Sequence, residues 1–217
     1  MSQLSILYLF VYNSLQALGW AISVSRILSN FVSTKSFNGA YAAAGELICL
    51  LQIVAFLEVV HGAIGVVPSG VLLPLIQWGG RVHFLLAIVR CNDEVQELPS
   101  VFVTLLAWGL IEVIRYPHYA LNCVGSSVSL ITYLRYTAFI VLYPVGVAGE
   151  MWLIYQALPV IKTKNLYADF FAGLPITYYN FVKVLLACYP FMWLKLYLHL
   201  FKQRNAKLGK QHKKKRR

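Results

Sequence analysis

Stretches of about twenty predominantly apolar residues recur along this chain, and that pattern limits the fold more than any motif does. In lipid, every backbone N–H and C=O must find its partner inside the spanning element, so such stretches are read as helices. They fall at residues 6–28, 42–67, 71–89, 98–114, 133–157 and 176–201. The apolar region from 121 to 158 is too long for one span, so a short helical approach is expected before residue 133. The expected fold class is therefore all-α: a polytopic membrane helix bundle with six transmembrane helices. Charge supports this. Only 12% of the residues are charged, about half the share of an ordinary soluble domain.

The formal charge of +11 comes almost wholly from one end. Residues 202–217 hold nine Lys or Arg and no Asp or Glu, which leaves ten basic against eight acidic residues in 1–201. A basic run directly after an apolar segment is cytosolic by the positive-inside rule. Six spans then put both termini on the cytosolic side. The expected organisation is a six-span membrane catalytic domain over 1–201 and a basic cytosolic tail over 202–217. No groove-reading motif accompanies the charge, so nucleic acid is not an expected partner. Lys214, Lys215, Arg216 and Arg217 make a KKxx ending, the pattern of retrieval to the endoplasmic reticulum. The N-terminus lacks a basic n-region and a small-residue cleavage site, and reads as a retained first span. In this register Arg115, His118 and Arg135 lie at the fourth, cytosolic, connection.

Ionisable groups inside hydrocarbon are costly and mark function. The stretch "LRYTAFIVLYPVGVAGE", residues 134–150, carries several. Tyr143 and Glu150 are seven apart, about two helical turns, so they share a face with about 10 Å between them. Tyr136 falls seven before Tyr143 on the same stripe. Pro144 and Gly146 offer a kink, and Gly146 and Gly149 let a backbone or a ligand come close. The plainer alternative treats Tyr143 as an aromatic-belt residue and Glu150 as an interhelical hydrogen-bond partner. Glu58 with His61, and Glu112 with Arg115, are spaced to share a helix face. Arg81 and His83 are two apart and diverge. Together they imply a polar interior. No HExxH, GxSxG, P-loop or HxxxH pattern occurs. The four Cys include no CxxC pair, and none is followed by Arg six residues on, so neither a metal site nor a cysteine-phosphatase loop is expected.

These residues also carry a resemblance. "EVIRYPHYAL" followed by "YLRYTAFIVLYPVGVAGE" resembles the signature of the 3-hydroxyacyl-CoA dehydratases, formerly called protein tyrosine phosphatase-like membrane proteins. "LEVVHGAIGVVPSG", residues 57–70, resembles a second segment of that family, and the details look most like its plant, Pasticcino-type branch. The resemblance implies a six-span protein of the endoplasmic reticulum membrane. It implies removal of water from a very-long-chain (3R)-3-hydroxyacyl-CoA to give the trans-2-enoyl-CoA, the third step of fatty acid elongation. No cofactor is implied. The implied partners are membrane lipid and the other elongase subunits: ketoacyl-CoA synthase, ketoacyl-CoA reductase and enoyl-CoA reductase. Tyr143 and Glu150 match the family's catalytic pair; which of them is acid and which is base stays open. Tyr136, Arg115, Arg135 and Gly146 are candidate substrate-binding residues. A non-catalytic scaffold of elongase or signalling complexes, or a transporter using the buried Glu and His groups as a relay, are the competing readings.

Overall fold

A computed structural model of the protein describes residues 2–68 and 70–215. The described residues are helical or in turns, with no strand. In chain order the helices are α1 (Gln3–Thr34), α2 (Ala40–Val54), α3 (Phe56–Ala63), α4 (Leu72–Val82), a π-helical segment (His83–Val89), α5 (Asp93–Gln96), α6 (Pro99–Cys123), α7 (Ser129–Arg135), α8 (Phe139–Thr163), α9 (Ala168–Phe171) and α10 (Tyr178–Lys215). Among the described residues, six helical stretches are long and apolar enough to cross a membrane: Gln3–Thr34, Ala40–Ala63 (α2 with α3), Leu72–Val89 (α4 with the π-helical segment), Pro99–Cys123, Phe139–Thr163 and Tyr178–Lys207.

Most expected boundaries shift by a few residues, and two shifts near the polar interior have a visible reason. The fourth span continues past residue 114 to Cys123 despite Pro117. Its polar residues are satisfied inside the bundle: Arg115 and Tyr116 reach Glu58, and Asn122 bonds His118 one turn away. Arg115 and His118 therefore lie within a helix, not in a connection. The fifth span starts at Phe139, six residues later than expected, because the chain turns at 136–138 after α7. Tyr136 thus precedes α8 and drops out of the stripe, while Tyr143 and Glu150 stay on it. The second span is divided at Ala55. The expected division at 201/202 falls inside α10, which runs unbroken through the junction. Arg216 and Arg217 of the KKxx ending lie outside the described residues.

Neighbouring spans run antiparallel around α6. Early residues of α1 meet late residues of α6 (Tyr12 with Tyr116, ring centroids 6.4 Å apart), and the reverse holds at the other end (Phe31 with Phe102, 5.3 Å). On its other flank α6 packs against α8, with Ser100 bonded to Gln156 at 2.9 Å. Burial ranks the spans: 56% of the apolar window is buried for the α6 span and 6% for the α10 span. So α6 is the axis of the bundle and α10 is its periphery, with Phe191, Met192, Leu194 and Leu198 turned outward. The core between them holds Trp20, Ile48, Phe84, Leu105, Leu153 and Ile154.

Two close approaches fix α8. A Cβ on Gly149 would come within 2.6 Å of Thr104 Oγ1 and 3.3 Å of the Thr104 backbone nitrogen. Gly149→Ala is expected to lower stability by about 1–3 kcal/mol through overpacking. Thermal unfolding in detergent tests this, and an unchanged melting temperature would contradict so tight an α6–α8 contact. Pro144 has no N–H, so the Ile140 carbonyl one turn back loses its helical partner. The Tyr197 hydroxyl of α10 donates to that carbonyl at 2.9 Å. Neighbouring helices commonly re-satisfy such groups in membranes. Tyr197→Phe should therefore cost about 1–3 kcal/mol and speed amide exchange in the first turns of α8; exchange that stays slow would refute it.

Candidate active site

Glu150 sits in the middle of α8, only 8% exposed. Both its oxygens are occupied. The Trp108 indole N–H of α6 donates to Oε1 at 2.6 Å, and the Tyr189 hydroxyl of α10 donates to Oε2. Antiparallel packing explains the meeting: Gly146 and Gly149 bring α8 close to α6 just where Trp108 projects. An ionised carboxylate only accepts hydrogen bonds, and an indole N–H only donates. The arrangement is that of a carboxylate held by two donors from two other helices.

Tyr143 lies two turns nearer the start of α8. It faces a buried cluster of charges drawn from three other spans. Arg81 pairs with Glu112, and Glu112 pairs with Arg115, each at 2.5 Å. Arg115 continues to Glu58 at 3.0 Å, and Tyr116 donates to the same Glu58 oxygen at 2.5 Å. Arg81, Glu112, Arg115 and Arg135 lie within electrostatic reach of the Tyr143 hydroxyl. Arg81 also acts on Glu150 and lies 4.7 Å over the Trp108 ring. Arg81 is thus the group that links the surroundings of Tyr143 to those of Glu150.

The chain resembles known proteins along almost its whole length. Residues 52–210 match the family described as PTPLA, protein tyrosine phosphatase-like protein. The chain belongs to this family. Its curated relatives include the human very-long-chain (3R)-3-hydroxyacyl-CoA dehydratase 2, 34% identical over 95% of this chain and 84% of that protein. The sheep very-long-chain (3R)-3-hydroxyacyl-CoA dehydratase 1 is 30% identical over 94% of this chain and 72% of its own length. The mouse very-long-chain (3R)-3-hydroxyacyl-CoA dehydratase 3 is 33% identical over 95% of this chain and 59% of its own length. No solved structure matches.

Within this PTPLA member the four candidate substrate-binding residues separate. Arg135, at the end of α7, donates to the Tyr119 hydroxyl at 3.1 Å and forms no ion pair among the described residues. Tyr136 packs its ring edge-on to His118, 5.8 Å between centroids. Burial holds its phenol above the usual range, with Arg135 opposing, so it is a neutral hydroxyl near pH 7. Arg115 is committed to Glu112 and Glu58. Gly146 faces α6, where a Cβ would meet Ala107 at 3.6 Å. It serves helix contact at that point.

Sequence reasoning missed Trp108, Tyr189 and the central place of Arg81. One signal for Tyr189 was present. Tyr-Pro occurs three times, at 116–117, 143–144 and 189–190, each inside a spanning helix. Two of these tyrosines, Tyr116 and Tyr189, hold a glutamate. Trp108 has no comparable signal, since a tryptophan in an apolar run is ordinary.

Proposed function

We propose that this protein is a hydro-lyase that dehydrates very-long-chain (3R)-3-hydroxyacyl-CoA to the trans-2-enoyl-CoA, with Glu150 as base and Tyr143 as acid. The observation that supports the assignment most directly is the Glu150 carboxylate, held at both oxygens by donors and still carrying free lone pairs. Glu150 takes the C2 proton. The electron pair of that C–H bond forms the C2–C3 double bond as the C3–O bond breaks. Tyr143 gives its proton to the departing hydroxyl, which leaves as water. The Arg81, Arg115 and Arg135 cations attract the phenolate so formed, and Glu112 opposes them. Passage of the proton from Glu150 back to Tyr143 resets the pair. General acid–base assistance of this kind contributes about 10²–10⁴-fold.

The apolar spans suit the acyl chain. The charged CoA belongs in water, at the end of the bundle where Arg135, Tyr136 and the basic end of α10 lie. There we place the cytosol, with both termini and the tail 202–217, on the positive-inside rule. Arg135 and Tyr136 contact the CoA portion in this reading, while Arg115 and Gly146 shape the wall behind Tyr143. Residence in the endoplasmic reticulum membrane and association with the other elongase subunits, both implied by the resemblance to the dehydratase family, complete the proposal. Purified protein in lipid nanodiscs, given a (3R)-3-hydroxyacyl-CoA, should yield the trans-2-enoyl-CoA by mass spectrometry. Intact substrate after prolonged incubation with folded protein would leave the scaffold reading instead.

A further inference from the structure

We propose that Trp108 and Tyr189 are the positioning residues of Glu150, each holding one carboxylate oxygen, so that the base is aimed from α6 and α10 and not by its own helix alone. This rests on Glu150 being the base of the proposed reaction. A glutamate side chain has three rotatable torsions, and burial alone does not choose among them. Two donors at separate oxygens do choose. They fix the carboxylate plane and leave defined lone-pair directions open for the C2 proton.

The two holders are themselves held differently. Trp108 is 3% exposed and packed between the Phe84 ring at 5.3 Å and the Arg81 guanidinium at 4.7 Å. Its N–H can only donate, so it fixes Oε1 without an alternative state. Tyr189 stands on the peripheral helix, directly before Pro190. Its bond to Oε2 ties the setting of the base to the seating of α10 against α8. A merely structural role would make Tyr189 a latch for α10 and Trp108 a packing residue, with no effect on turnover in folded molecules.

The test compares Trp108→Phe, Tyr189→Phe and Glu150→Gln in nanodiscs with a (3R)-3-hydroxyacyl-CoA. For folded Trp108→Phe and Tyr189→Phe, kcat should fall about 10- to 100-fold, as for a misaimed catalytic group. KM should stay within about threefold, because ground-state binding is spared. The acid limb of the kcat–pH profile should move to higher pH, since each variant removes a donor that favours the carboxylate. Unchanged kcat and an unmoved profile in both variants, with Glu150→Gln inactive, would overturn the positioning role and leave Glu150 as base. An active Glu150→Gln would overturn the reading of the base itself. If the phenylalanine variants fail to fold, infrared difference spectra of the wild-type chain against Glu150→Gln decide the matter. Carboxylate bands of a doubly hydrogen-bonded group support the proposal, and those of a free carboxylate defeat it.

Discussion

Glu150→Gln in folded, reconstituted protein is expected to lose dehydration of (3R)-3-hydroxyacyl-CoA by about 10²–10⁴-fold, and Tyr143→Phe by a similar factor. The amide keeps the shape of Glu150 and its packing under α6 and α10, but it cannot take a proton from C2. It also sets an N–H₂ against one of two donors, Trp108 or Tyr189. The phenylalanine keeps the bulk of Tyr143 against the Phe139 ring, 6.4 Å away, and removes only the transferable proton. Product is read as enoyl-CoA by mass spectrometry, with folding checked by gel filtration. A variant that retains half or more of the wild-type rate removes its residue from the chemistry. The two roles separate in deuterated water. With Glu150 as base, Tyr143→Phe can still exchange the C2 hydrogen whenever the carbanion forms before C–O cleavage, and Glu150→Gln cannot. Exchange in Glu150→Gln and none in Tyr143→Phe would reverse the assignment.

Much of this arrangement was legible in the sequence, and the reasons divide by length scale. Apolar run length specified six spans, because the bilayer sets the length and leaves the backbone one way to pair itself. The seven-residue spacing placed Tyr143 and Glu150 on one face, because both lie on the same unbroken helix. Tyr136 shows where that logic stops. The same spacing was no guide to it, since the helix begins at Phe139 and nothing in local periodicity marks the turn at 136–138. Polar residues misled in a similar way. Arg115 and His118 read as a connection because charge and Pro117 interrupt the apolar run. They are helical because Glu58 and Asn122 satisfy them: Asn122 bonds His118 from the next turn of the same helix, whereas the Arg115–Glu58 pair spans 57 positions of sequence and has no local signal. Trp108 and Arg81 were hidden for that reason too. Their roles exist only once α6, α8 and α4 are packed together.

Glu112 should be the most costly residue to remove for stability. It is 1% exposed and sits between two guanidinium groups, Arg81 and Arg115. Arg115 retains Glu58 when Glu112 is lost, but Arg81 retains no ion pair among the described residues. Breaking a buried pair by deleting one partner costs about 3–5 kcal/mol, because a charge is left uncompensated in a low-dielectric interior. Glu112→Leu is therefore expected to lower the melting temperature sharply in detergent. Arg81→Met alone should do so less, because Glu112 keeps Arg115. The double variant Arg81→Met, Glu112→Leu should recover most of the loss, since apolar groups of similar volume replace such pairs at little cost. A double-mutant cycle measures the coupling directly. Additive losses with no recovery in the double variant would mean that Glu112 acts through Arg115 alone. The same set separates stability from chemistry. The double variant regains its fold but has lost the cation that stacks on Trp108 and acts on both Tyr143 and Glu150. Its turnover should therefore remain low although its melting temperature returns, and full activity would show that the Arg81–Glu112 pair is architecture only.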